Sequence, residues 1–304
     1  MKRLVLFLAT NAAVLLVVST VFKLIGLEPR LYQSETGIDL QSLLIFAAVI
    51  GMGGSFVSLA ISKWMAKTTM GVHVIGYPQT DQERWLRNTV EQLARDVGIG
   101  TPEVGIFRSS APNAFATGMS RDNALVAVST GLLQQMPHDQ VEAVLGHEIS
   151  HVANGDMVTL GLLQGVLNTF VVFLARIVGM LVDRILFRGQ RGMGIGYFAT
   201  TLVAQVFLSF LATLIVMAFS RWREFRADAG GARLAGSEHM IAALRTLQNV
   251  QEPRALPGSM AGFGITAGLP GGLSRLLMSH PPLAERIAVL ERAASRRWEL
   301  SRGQ

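Results

Sequence analysis

The run His147-Glu148-Ile149-Ser150-His151 carries the residues whose types and spacing most directly specify chemistry in this 304-residue chain. On an α-helix each residue advances by about 100°, so residues four apart share one face, a turn from each other. His147 and His151 can then present two neutral imidazoles to one metal ion, with Glu148 facing a water on that ion. A zinc ion held this way lowers the pKa of its water to about 7, and the neighbouring carboxylate can take the proton and return it to a leaving amine. The same five-residue pattern also arises by chance, usually without helix signals around it. Here the signals are present. Pro137 precedes Asp139, the expected N-cap, with Glu142 three positions on as in a capping box. Val141, Val144, Leu145 and Ile149 recur at helical spacing, and Gly155 is the expected stop.

A catalytic zinc normally has three protein ligands and one open position. The metzincin pattern would place Gly at 154 and His at 157, where this chain has Asn154 and Met157. A downstream carboxylate is the other source. Glu224 and Asp228 lie four apart in Arg221-Trp222-Arg223-Glu224-Phe225-Arg226-Ala227-Asp228 and share a helical face. Glu224 could bind the metal while Asp228 accepts a hydrogen bond from the non-ligating nitrogen of a zinc histidine, orienting the ring and raising its basicity. The spacing equally suits a solvated helix laced with Glu–Arg pairs, and it does not choose between the two.

The elements that must position these residues come from the hydropathy pattern. Half the residues are hydrophobic, 16% are charged, and mean hydropathy is +0.39, which points to a membrane protein. Four uncharged runs, Leu4 to Phe22, Leu40 to Ser62, Met157 to Ala175 and Gly192 to Ser220, approach or exceed the roughly 20 residues that cross a bilayer. Lys2 and Arg3 open the first, but no small-x-small cleavage pattern precedes Lys23, so it reads as an uncleaved anchor. These runs divide the chain into a transmembrane hairpin (1–62), an α+β segment with the His147 helix (63–156), a second hydrophobic hairpin (157–220) and a helical tail (221–304).

Within the first polar segment, Thr80 to Ile99 is expected as a capped helix, and Glu103 to Phe107 and Ala124 to Ser129 as short strands flanking a small-residue stretch, Asn113 to Gly118. In the tail, Arg221 to Leu234 and Ser237 to Val250 are expected as helices. Gln251 to Gly272 is a Gly- and Pro-rich loop, and Pro281 and Pro282 open a last helix. There is no cysteine, which excludes disulfides and thiolate ligands. The net charge of +6 fits Lys and Arg flanking membrane segments better than a nucleic-acid surface, because no basic cluster is interleaved with aromatics.

His151 lies six residues before Met157 and Glu224 four after Ser220, so both are expected within roughly 10 Å of the membrane boundary at helical rise. If both bind one metal, they lie on the same side, and the partners are the bilayer and polypeptides in or beside it. Lys2 and Arg3 favour a cytoplasmic N-terminus, which puts the polar segments inside, with eight flanking cations against six on the opposite side. His73, His138 and His239 have no partner spacing and are expected to be ordinary surface or packing residues. The 13 methionines are simpler as core or lipid-facing residues than as a metal box.

These features together resemble the HtpX family of bacterial membrane zinc metalloproteases, related to the CAAX prenyl-protein proteases. The resemblance covers nearly the whole chain. It rests on the two N-terminal hydrophobic segments, Pro112 to Gly118, the His147 motif, the hydrophobic hairpin, Glu224 to Asp228, and Ser279-His280-Pro281-Pro282, in that order. It implies a mainly α membrane protein with four hydrophobic helices in two hairpins and a small α+β, gluzincin-like zinc metalloprotease domain. It also implies an inner-membrane endopeptidase of stress and quality control whose catalytic domain faces the cytoplasm. Carried over by position, His147, His151 and Glu224 bind one Zn²⁺ per chain, Glu148 is the general base, and Asp228 orients a ligand. His280 steadies the oxyanion, against a simpler role at the start of the last helix. Asn113, Ala114, Phe115 and Ala116 lie on an edge strand that pairs with substrate.

Two rivals remain at this level. A non-catalytic scaffold or holdase with a structural metal would not need Glu148. A small transporter would need more polar groups at mid-membrane than Asn11, Gln164, Asn168 and Gln205.

Overall fold

The structure, a computed structural model, describes residues 40–186, 195–251, 276 and 278–302. The first apolar run, Leu4 to Phe22, lies outside the described residues, as does the expected loop over 252–272. The helices are α1 (Leu40–Ala60), α2 (Ser62–Thr69), α3 (Asp81–Val97), α4 (Thr130–Gln135), α5 (His138–Asn154), α6 (Asp156–Leu186), α7 (Ile195–Leu234), α8 (Ser237–Gln251) and α9 (Leu283–Arg302). The strands are β1 (His73–Val74), β2 (Glu103–Phe107), β3 (Ala114–Ser120) and β4 (Asn123–Ser129). The chain forms two compact units, divided near residues 59, 158 and 216.

The first unit contains α1 and the apolar stretches of α6 and α7. Three helices among the described residues are long and apolar enough to cross a membrane, at Leu40–Ala60, Asp156–Ile185 and Ile195–Leu234. Their inner faces pack Phe46, Ala47 and Ile50 on Val172, and Leu43 on Met180 and Tyr197. Leu162, Val166, Phe170, Val203, Val206 and Phe207 stay exposed. Such a surface is costly in water and suited to hydrocarbon, where each helix satisfies its own backbone hydrogen bonds.

The second unit builds on a four-stranded sheet in the order β1-β2-β4-β3, with β2 and β4 parallel and the other pairs antiparallel. One face meets the helices. Leu86, Val90 and Leu93 of α3, Val104, Val126 and Val128 of the sheet, and Val141, Leu145 and Ile149 of α5 share a core with Met240 and Leu244 of α8 and Ile287 and Leu290 of α9. The other face buries Val72, Phe107, Leu125 and Ala127 with Phe115 and Ala66. Helix α3 starts at the expected capping box, Thr80 with Glu83, and stops at Gly98 in the left-handed conformation.

Three local expectations change. The N-cap of α5 is Pro137, with no side-chain cap, so Asp139 sits inside the first turn, where its charge suits the helix dipole. The segment from Arg221 is not a separate helix but the continuation of the 40-residue α7, because no Gly or Pro interrupts the backbone at Ser220. The last helix begins at Leu283, after both prolines, and continues to Arg302. The small-residue stretch, whose first residues the resemblance puts on an edge strand, leads into a seven-residue strand, β3, which starts at Ala114 and pairs along β4. Ala and Gly have little intrinsic strand preference, so the pairing comes from the neighbouring strand.

Candidate metal centre

The site lies within the second unit, where α5 crosses α7. Small residues permit the crossing. A side chain at Gly230 would collide with Ser150, lying 2.6 Å from its Cβ, and one at Gly231 would come 3.0 Å from the His147 backbone nitrogen. Gly146 faces Gly231 in the same seam, with the Gly231 Cα 3.3 Å from where its Cβ would be. This close approach lets a carboxylate on α7 reach two imidazoles on α5.

Glu224 Oε2 lies 3.6 Å from His147 Nε2, and Glu224 Oε1 lies 3.3 Å from His151 Nε2. The two rings stand at 90°, with centroids 4.7 Å apart. Ligand atoms about 2.0–2.1 Å from a tetrahedral zinc are separated by about 3.3–3.4 Å, so these spacings suit one ion. The donor set also fits. Each imidazole turns Nε2 toward Glu224 and commits Nδ1 elsewhere, His147 to Asp228 Oδ1 at 2.9 Å and His151 to Asp156 Oδ2 at 2.7 Å. Glu224 is 2% exposed, and its Oε2 is a buried atom without a well-formed hydrogen bond among the described residues. One of each residue's ligand atoms lies within 4.8 Å of the other two.

Buried charge at the site is balanced in a specific way. Arg286, on α9, donates to both oxygens of Asp228, Nη2 to Oδ1 at 2.5 Å and Nε to Oδ2 at 2.8 Å, and its Nη1 is 3.3 Å from Glu224 Oε2. Burial alone would lower the His147 pKa, but the Asp228 and Glu224 carboxylates outweigh it and push the imidazole up to about 9. Burial likewise opposes protonation of His151, and Asp156 and Glu224 raise it. Burial works against the Arg286 charge too, and Asp228 more than restores it.

Glu148 is half-buried and makes no hydrogen bond or ion pair among the described residues, which leaves its carboxylate available as a base. His280 is more than half exposed, and its Nδ1 lies 2.7 Å from Glu224 Oε2. It therefore stands beside the carboxylate of the cluster. Asn113 holds the start of β3. Its carbonyl accepts from Ser129 N at 2.8 Å, and its N–H donates to Ser129 Oγ at 2.9 Å. Ala114, Phe115 and Ala116 pair with Val128, Ala127 and Val126 of β4. Ala114 and Ala116 pack into the core beneath α5, and Phe115 packs on Phe107 across the sheet, with centroids 5.5 Å apart. Among the described strands β3 is at the edge, so its outer hydrogen-bonding side is free of a strand partner. The other histidines are elsewhere. His138 stacks on Trp85, and His239 Nδ1 lies 2.8 Å from the Ala235 carbonyl oxygen.

Two contributors are absent from the sequence reading. Asp156 directly follows Gly155, and that helix stop was the available signal. Arg286 carries no local signal, because its partners lie 58 and 62 residues away.

Comparison with known proteins decides the family. Residues 80–294 match the model of peptidase family M48. The chain belongs to peptidase family M48. It is 62% identical to Protease HtpX of Thioalkalivibrio sulfidiphilus over 291 residues, covering 96% of this chain and 99% of that protein. It is 60% identical to a Protease HtpX homolog of Thiobacillus denitrificans over 290 residues, covering 95% and 99%. The crystal structure of S. mikatae Ste24p shares the fold, with a TM-score of 0.63 at 20% identity, covering 95% of this chain and 64% of that one. This M48 member is a membrane metallopeptidase, mostly helical with a small mixed sheet.

Proposed function

We propose that the chain is a zinc endopeptidase that hydrolyses misfolded or membrane-associated polypeptides as part of envelope quality control, with His147, His151 and Glu224 as the metal ligands. The observation that carries this reading is the convergence of two Nε2 atoms and one buried carboxylate at zinc-compatible spacing, with a free Glu148 alongside. Bound zinc would supply Lewis-acid polarisation of the scissile carbonyl and acidify water. Glu148 takes the proton of the attacking water and passes it to the leaving nitrogen. Asp228 fixes the His147 ring. His280 steadies the developing oxyanion. Residues Asn113 to Ala116 open the strand whose free edge receives substrate backbone as an added strand.

The apolar helices and the charge bias across their flanks support an inner-membrane enzyme with its catalytic unit in the cytoplasm. The run Leu4 to Phe22 would pair with α1 as the first of two hairpins, and α6 with α7 would form the second. The division into hairpins (1–62 and 157–220) and catalytic segments (63–156 and 221–304) belongs to the same proposal.

The test is metal analysis and cleavage of an unfolded protein by detergent-purified wild type and Glu148→Gln. One zinc in each, with cleavage lost in the variant, is expected. Cleavage at the wild-type rate by the variant, with contaminating protease excluded, refutes the mechanism. Zinc without cleavage by either favours a holdase with a structural metal.

A further inference from the structure

We propose that Asp156 is the positioning residue of His151, held in place by the left-handed turn at Gly155 and by Arg223. The inference rests on the ligand reading above and concerns a residue to which that reading gives no role.

The contact is not a product of helical spacing. On a continuous helix a residue five positions on lies about 140° round the axis, facing away from the first. Asp156 reaches His151 because α5 ends at Asn154 and Gly155 adopts φ 66°, with its N–H donating to the His151 and Val152 carbonyls. The chain then restarts as α6, with Asp156 its first residue. The turn brings the Asp156 carboxylate back to 2.7 Å from His151 Nδ1, with its side chain 3% exposed. On the far side, Arg223 Nη1 donates to the Asp156 backbone carbonyl at 3.1 Å. Arg223 sits one residue before Glu224, so the helix that brings the carboxylate of the cluster also fixes the aspartate behind His151.

A carboxylate on Nδ1 holds the proton there, leaves Nε2 as the lone-pair donor, and locks the ring plane. His151 thus has its own acidic partner, separate from the Asp228 that serves His147. Losing such a partner typically weakens metal binding 10–100-fold.

The experiment measures zinc dissociation constants by chelator competition, and the visible spectrum of the cobalt-substituted protein, for full-length wild type, Asp156→Asn and Asp156→Glu in detergent. Asp156→Asn is expected to bind zinc about 10–100-fold more weakly and to shift the cobalt bands. Asp156→Glu, which restores the charge, recovers part of the affinity. Affinity in Asp156→Asn within twofold of wild type overturns the proposal. Absence of zinc binding by wild type overturns the ligand reading instead. If Asp156→Asn does not fold, Gly155→Ala decides. An added Cβ there meets no atom closer than 3.6 Å, so its effect comes through the backbone angle. Weakened zinc binding in Gly155→Ala, restored in Gly155→Asn, supports the proposal, and unchanged binding in Gly155→Ala overturns it.

Discussion

Replacing Arg286 with Met should destabilise the metal-free protein far more than the metal-loaded one. Methionine occupies much of the arginine volume, so the loss is chiefly one of charge. Arg286 is 6% exposed, clamps Asp228 with two hydrogen bonds of 2.5 and 2.8 Å, and lies 3.3 Å from Glu224. Without it, two carboxylates that are each 2% exposed retain only imidazole partners. Removing one member of a buried ion pair typically costs 3–5 kcal/mol, because the other charge is left uncompensated. At about 2–4 °C per kcal/mol for a unit of this size, melting should fall by roughly 6–20 °C. A zinc ion returns positive charge beside Glu224, and since saturation at about 100 times the dissociation constant adds the same roughly 2.7 kcal/mol to wild type and variant, a smaller melting gap with zinc reports that returned charge. The assay is thermal unfolding followed by circular dichroism in detergent, at one scan rate, with chelator and then with excess zinc. Arg286→Lys should fall between, since one ammonium cannot bridge both carboxylates in the guanidinium geometry. The reasoning is refuted if chelated Arg286→Met melts within about 2 °C of chelated wild type.

The pH dependence should differ between the two metal states. His147 is raised from 6.5 to about 9, so its contribution to metal-free stability is fully present below about 6.5 and is lost as pH rises through about 9. Chelated protein should therefore melt lower at pH 9.5 than at 6.5 while zinc affinity increases over the same window, and a flat melting profile would contradict this. Gly230→Ala should force α5 and α7 apart at Ser150, cost about 1–3 kcal/mol and weaken zinc binding. Gly53→Ala, with nothing within 4 Å of the added Cβ, should leave both unchanged. Glu103→Gln removes half-buried pairs with Lys63 and Lys67 and should shift stability by only about 1 kcal/mol, an order set by partial solvent screening.

The parts of the site legible in the sequence are those whose geometry is local. His147 and His151 share a face because four residues make about one helical turn, and the Thr80 cap of α3 is a three-residue pattern. Glu224 was only half legible. Its helix face could be read, but whether that face met solvent or the two imidazoles depended on a crossing made possible by Gly146, Gly230 and Gly231, which as glycines inside helices look like weak points. Asp156 was hidden because helical periodicity points it away from His151, and only the backbone angle at Gly155 reverses that. The two-residue β1 is too short to show alternation, and the composition of β3 disguises it. For Glu224 and the strands the missing information was a tertiary neighbour, and for Asp156 it was one backbone angle.

Arg286 changes what the last helix is for. As a sequence, Leu283 to Arg302 is an ordinary amphipathic tail with charges that a solvated face would carry. In the structure its apolar side, Ile287 and Leu290, completes the core shared with Met240 and Leu244, and that packing fixes the depth at which Arg286 enters. The guanidinium then pairs with Asp228 and stands beside Glu224, the two α7 carboxylates that the imidazoles of α5 contact. A hydrophobic contact thus sets an electrostatic one, and Arg286 holds Asp228 ionised, as the histidines hold Glu224, at a depth where unpaired carboxylates would take up protons. The candidate metal centre is therefore a product of α5, α6, α7 and α9 together. The His147 to His151 motif supplies two of its donors, and the affinity and orientation of those donors are set by residues on the other three helices.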